Sequence, residues 1–348
     1  MNLAQLKALK PQRAAKTILS DAVRQGLHRY GYTDVHQSGL STYRECPAKL
    51  GFQVQKKQTS YSINMLLGSV LHRAFSYWQD CRDHGHDAEW WQSLFKLVRA
   101  EEGERKPIYT FKGEPVKWPF LNNLCFQFTN QDALGLITLG EMVVRTVERL
   151  DQMGYTIVAN ELVLTHRDGE RHPIDFTGTL DMKVVNRGNL GILDTKSYGL
   201  WAAFLHGKSA SKEEMSENEI TYNNQLRHYH WLHWLRYPNE RIEYYGMVLP
   251  TNLVPYKKSG AWGVAGTPKG QCAFVAPAID FSFVKDYEHQ VVQWLTQISK
   301  GVFFKGMPTN FGKTVCPDCP YFDHCLKDSS ASRVAALADA DAYAYLHE

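Results

Sequence analysis

Two short stretches concentrate the chemistry of this chain: Gly178-Thr179-Leu180-Asp181-Met182 and, after a turn, Gly191-Ile192-Leu193-Asp194-Thr195-Lys196. Strand alternation sends Asp194 and Lys196 to one face and Leu193 and Thr195 to the other. The intervening Asn186-Arg187-Gly188-Asn189 has the composition of a hairpin turn, which brings Asp181 alongside that pair. Two adjacent carboxylates repel unless a cation lies between them, and oxygen ligation suits magnesium or manganese. A lysine beside such a cation can orient or deprotonate a water, so the groups suit hydrolysis of a phosphodiester. Taken alone, an Asp-x-Lys tripeptide also describes a solvated surface hairpin, the commoner occurrence. Elements elsewhere in the chain must decide.

Three such elements exist. Glu161 opens an apolar run, Glu161-Leu162-Val163-Leu164, that reads as the strand before the hairpin. The segment from Gly68 to Phe75 reads as a helix start carrying His72. Gln225 and Tyr229 are four residues apart in Tyr222 to Arg236, a segment without Gly or Pro, and so share a helix face. Each has an ordinary structural reading on its own: a satisfied histidine on a packed helix, or an amphipathic face.

The cysteines give a second signal. Of seven, three form the array Cys316-x-x-Cys319-x5-Cys325. Without a secretory signal, thiolates at that spacing point to a metal centre rather than disulfides. Zinc held by Cys316, Cys319, Cys325 and His324 is one alternative, although His324 adjoins Cys325 and is awkwardly placed. A 4Fe-4S cluster needs a fourth thiolate, and Cys46 is available. Cys81, Cys125 and Cys272 read as buried small hydrophobes.

Together these elements resemble the PD-(D/E)XK nuclease superfamily and, within it, the RecB-like iron-sulfur exonuclease branch of AddB-type, CRISPR-associated RecB-like and exonuclease-five-like proteins. The resemblance rests on Gly68 and His72, Glu161, Gly178 and Asp181, Asp194 and Lys196, and Gln225 and Tyr229, in that order. Ser41-x4-Cys46-Pro47-x-Lys49 looks like that branch's cluster signature. It implies that His72, Asp181, Asp194 and the Thr195 carbonyl bind Mg2+ or Mn2+, that Lys196 orients the attacking water, and that Glu161, Gln225 and Tyr229 support catalysis. It further implies a 4Fe-4S cluster on Cys46, Cys316, Cys319 and Cys325, with structural zinc as the alternative. Such a centre would clamp the two ends of the nuclease domain together.

The expected fold is α/β: a restriction-endonuclease-like core with a mixed central sheet flanked by helices, a helical insertion at about 81–150 and a C-terminal cluster region at 316–325. Residues 1–36 read as an N-terminal helical segment, with Met1 to His28 a basic solvated helix in preference to a DNA-contacting arm; 37–330 as the nuclease domain; and 331–348 as a helical tail. Arg241 to Pro250 reads as a strand and Asp280 to Lys300 as a helix. At 348 residues and 44% hydrophobic content, the chain can bury a sizeable core. The net charge of +3 permits nucleic acid without demanding it. No apolar run long enough to span a membrane and no signal peptide is seen, so a cytoplasmic setting is expected. The partner implied is DNA, single-stranded, with any helicase a separate chain. Rival readings are a non-catalytic nuclease-like DNA-binding or assembly subunit, and an endonuclease or RNA nuclease of the same fold.

Overall fold

The computed structural model describes residues 17–54, 71, 72, 75, 78, 143–196, 216–250, 257, 258, 261, 262, 272–303, 309, 310, 313, 314, 319, 321 and 325. In chain order these give α1 (Asp21–Arg29), β1 (Asp34–His36), α2 (Gln37–Glu45), α3 (Pro47–Val54), β2 (Tyr155–Asp168), β3 (Ile174–Asn186), β4 (Asn189–Thr195), α4 (Glu217–Thr221), α5 (Asn224–Arg236), β5 (Ile242–Val248), β6 (Lys257–Lys258), β7 (Ala261–Trp262), β8 (Ala273–Pro277), α6 (Phe281–Ser299), β9 (Thr309–Asn310) and β10 (Lys313–Thr314). Residues 143–152 are also helical, as are 71, 72, 75 and 78. Most of the expected insertion, Gly68, Cys316 and the tail lie outside the described residues.

The sheet is mixed, with strand order β1-β3-β4-β5-β8 and β2 paired to β3. β3 is its spine. One edge pairs antiparallel with β2 from Tyr155↔Asn186 to Asp168↔Ile174. The other edge is shared: β1 runs parallel at Asp34↔Asp175 to His36↔Thr177, and β4 runs antiparallel at Met182↔Leu193 to Asn186↔Asn189. The stretch Gly178 to Asp181 falls between those two partners. β4 and β5 are parallel, and β5 and β8 antiparallel.

Local chemistry explains the turn and the helix starts. Arg187 (φ 51) and Gly188 (φ 85) both occupy the left-handed region, as a two-residue hairpin of the primed type requires. Asn223 caps α5 by accepting from the N–H groups of Gln225 (3.0 Å) and Leu226 (3.2 Å). The helix is buried on most of its surface, including Leu226, Tyr229, Trp231 and Leu232. It also buries three histidines. His228 meets the Tyr287 hydroxyl (3.1 Å) and the Thr177 carbonyl (3.3 Å), and His230 meets the Tyr245 hydroxyl (2.6 Å). The expected strand and helix near residues 241–250 and 280–300 are β5 and α6.

Two expectations need correction. Glu161 does not open its strand; β2 begins at Tyr155, and Glu161 lies within it. The described part of the helix expected at residues 1–28, α1, is packed on one side rather than solvated throughout, because Leu27 is buried and Gly26 lies so close to Ser299 that a Cβ would clash. The buried Asp168 carboxylate accepts from the N–H groups of Ile18 and Leu19 and pairs with Arg24 at 3.5 Å, fastening this segment to the end of β2. The mixed sheet flanked by helices is consistent with the expected restriction-endonuclease-like α/β fold. Among the described residues no helix is long and apolar enough to cross a membrane.

Candidate active site

The site forms where two strands lose their regularity together. β2 carries a bulge between Ile157 and Ala159, and Glu161 takes a left-handed backbone (φ 46), a strain of roughly 1–3 kcal/mol for a non-glycine residue. Beside it, β3 changes the face it presents. Phe176 packs on Trp231 of α5 and Leu180 joins the same core, whereas Met182 and Val184 join a second core with Leu193. Simple alternation would have kept all these even-numbered residues on one side. Glu161 and Asp181 stand at the exchange, and their carboxylates converge on one ring nitrogen: His72 Nδ1 is 3.5 Å from Glu161 Oε1 and 3.4 Å from Asp181 Oδ2.

Burial opposes a charge on His72, but its bonds to Asp181 and then Glu161 outweigh that cost and lift its pKa to about 10. The pair of carboxylates thus holds a cation in the form of the imidazolium. The same donors fit a metal, since one ligand atom each from His72, Glu161 and Asp181 can lie within 4.8 Å of one another. One nitrogen and two carboxylate oxygens suit a divalent ion such as Mn2+ or Mg2+.

Asp194 and Lys196 project to this site from the end of β4. The Thr195 N–H donates to Asp181 Oδ2 at 2.7 Å, tying the end of β4 to the middle of β3. Lys196 Nζ lies 2.5 Å from Asp194 Oδ2 and donates to Gln225 Oε1 at 2.6 Å. Gln225 Nε2 in turn meets the Tyr229 hydroxyl at 2.8 Å. Asp194 is fully buried; burial first, and then the charge of Asp181, push its pKa well above the usual carboxylate range against the pull of Lys196. A buried carboxylate of this kind is suited to a second cationic partner.

All eight residues singled out in the sequence are therefore placed here. His72, Glu161 and Asp181 form the tight cluster, while Asp194, Lys196, Gln225 and Tyr229 form an adjoining chain. Thr195 enters through its backbone. Gly178 has a steric role, because α5 rests directly on it. The sequence reading did not single out a second buried charged group, Lys183, Glu240 and His233. Its one local signal is that His233 continues the series Gln225, Tyr229 at a spacing of four.

The cysteines occupy a separate small core. Cys46, Cys319 and Cys325 all pack against Ala48, Phe52 and Tyr321, so Cys46 is brought to the C-terminal array across nearly the whole chain. Cys272 is buried, as expected.

A family model described as the PD-(D/E)XK nuclease superfamily matches residues 35–326. No curated protein matches the chain.

Proposed function

The chain belongs to the PD-(D/E)XK nuclease superfamily, and we propose that it is a metal-dependent exonuclease acting from the ends of single-stranded DNA, in repair, recombination or viral DNA processing. Nucleases of this family generally use divalent metal ions, and a candidate acidic site is present. The observation that carries the reading is the convergence of His72, Glu161 and Asp181 beside the Asp194–Lys196 pair.

In this reading His72, Glu161 and Asp181 would hold the ion, and Asp194 and the Thr195 carbonyl would be further ligands. A bound Mg2+ or Mn2+ supplies a Lewis acid for the phosphate and lowers the pKa of a coordinated water. Asp181 is aimed by the Thr195 N–H and does not have to reorient. Lys196, held between Asp194 and Gln225, orients the attacking water and stabilises charge that develops on the phosphate oxygens. Tyr229 fixes the amide of Gln225 and, through it, the position of the ammonium. The cysteines serve as a structural staple, a 4Fe-4S cluster on Cys46, Cys316, Cys319 and Cys325; the packing of three of them on one small core supports this.

The test is digestion of linear and circular single-stranded DNA of one sequence, with a linear RNA of the same sequence as a parallel arm, in Mg2+ or Mn2+ and with Lys196→Ala as the control. Loss of the linear form alone supports end-dependent action. Nicking of the circle means endonuclease action at an open groove, faster loss of an RNA arm means an RNA nuclease, and no cleavage of any substrate means a non-catalytic subunit.

A further inference from the structure

Helix α5 touches the catalytic region at its N-terminal end through Gln225 and in its middle through Tyr229. Its other end carries a polar contact that the chemistry above does not use. The Lys183 ammonium pairs with Glu240 Oε2, and His233 Nε2 lies 3.0 Å from the same oxygen. All three are buried, at 6%, 9% and 0% exposure. Glu240 is bound to the end of the helix by its backbone: Tyr237 N–H donates to the His233 carbonyl (2.7 Å), and Glu240 N–H donates to the Tyr237 carbonyl (3.1 Å). The Lys183 ammonium also lies 4.9 Å from the centre of the Tyr237 ring.

Lys183 stands two residues beyond Asp181 on β3, and His233 stands one helical turn beyond Tyr229. A single carboxylate therefore links the strand that carries Asp181 to the helix that carries Gln225. Buried ion pairs of this kind contribute little net stability, since apolar residues of similar volume commonly do as well. What they provide is a fixed length and direction, which a greasy contact does not. We propose that Lys183, Glu240 and His233 are positioning residues that set the register of α5 on β3, so that Gln225 meets Lys196. The proposal rests on the nuclease reading and deepens it: the group acts through α5 on the lysine, not on the metal cluster.

The experiment compares the parent with His233→Leu, His233→Gln and Lys183→Met/Glu240→Leu, each with and without Gln225→Ala, on linear single-stranded DNA with Mn2+. Melting temperature, kcat, KM and the Mn2+ concentration for half-maximal rate are measured. A misplaced Lys196 should lower kcat by roughly ten- to a hundredfold in His233→Leu and in the paired variant, while KM and the Mn2+ requirement stay within about twofold. His233→Gln, whose side-chain amide can donate to Glu240 from the place of the ring, should recover most of the rate. Added to Gln225→Ala, the changes should cost little more than Gln225→Ala alone, because both act at one contact. Parental kcat in folded variants, or losses that multiply with Gln225→Ala, would overturn the proposal while leaving the nuclease reading intact. A parent that cleaves nothing defeats the nuclease reading itself. If the paired variant does not fold, the two His233 variants decide alone, since they leave both charges paired.

Discussion

Gly178 lies under the ring of Tyr229: a Cβ at that position would stand 3.1 Å from Cε1 and 3.2 Å from Cδ1 of the tyrosine, and 3.0 Å from Leu232 Cδ1. The glycine lets α5 settle onto β3 close enough for Gln225 to reach Lys196. Gly178→Ala should push the helix outward by a few tenths of an ångström, costing about 1 kcal/mol, and Gly178→Val up to about 3 kcal/mol. Both should slow cleavage more than they lower the melting temperature. A valine variant with parental rate and melting point would contradict the packing described.

Lys196→Ala should reduce cleavage by at least about 10²- to 10³-fold, the usual loss when a charge-stabilising donor is removed. Asp194→Asn should do the same with little loss of thermal stability, because burial and the charge of Asp181 already oppose the Asp194 carboxylate, and the Lys196 ammonium left behind is partly exposed and keeps its bond to Gln225. Activity and melting temperature measured on the same preparations separate this from simple unfolding.

Mn2+ should raise the melting temperature of the parent by a few degrees, and a chelator should abolish both the shift and cleavage. At a hundredfold excess over Kd the stabilisation is about 2.7 kcal/mol. The shift should shrink strongly in Asp181→Asn, Glu161→Gln and His72→Ala. An undiminished shift in all three would place the ion elsewhere.

Protein purified without oxygen should be brown and contain iron and acid-labile sulfide. Replacing Cys46, Cys316, Cys319 or Cys325 by Ala should remove the colour and lower the melting temperature, because cluster binding is part of the folding free energy. Stoichiometric zinc without sulfide would replace the cluster with the zinc alternative.

The buried histidines of α5 should make the fold sensitive to acid. Burial pulls His228 down to about 4 and His230 down to about 3, so both remain neutral in the native state where the unfolded chain, near 6.5, already binds protons. Their contribution is fully present above about pH 6.5 and is lost as pH falls toward the native values. Urea unfolding at about pH 7.5 and pH 5 should show a drop that is smaller by on the order of 2 kcal/mol in His228→Gln. An equal drop in parent and variant would contradict this.

Much of the site was legible in the sequence because its parts are local. The hairpin from Asp181 to Lys196 follows from a turn whose two central residues, Arg187 and Gly188, both adopt positive φ, and the sharing of a helix face by Gln225 and Tyr229 follows from a spacing of four. Strand β5 and helix α6 announced themselves by runs and periodicity for the same reason. The sequence alone determined which side chains could do chemistry, and in what order they come.

Tertiary structure decided how those side chains meet. Alternation says nothing of the point where β2 and β3 exchange faces; that depends on a left-handed Glu161 held by pairing on both sides, at Asn160↔Met182 and Leu162↔Leu180. Only packing brings His72 between two carboxylates distant in the chain, buries α1 against α6, gathers Cys46 with Cys319 and Cys325, and encloses Lys183 with Glu240 and His233. Local preferences fix backbone angles over a few residues, whereas the rotation of a strand and the pairing of distant charges are settled by which arrangement buries the apolar faces while leaving each buried charge a partner.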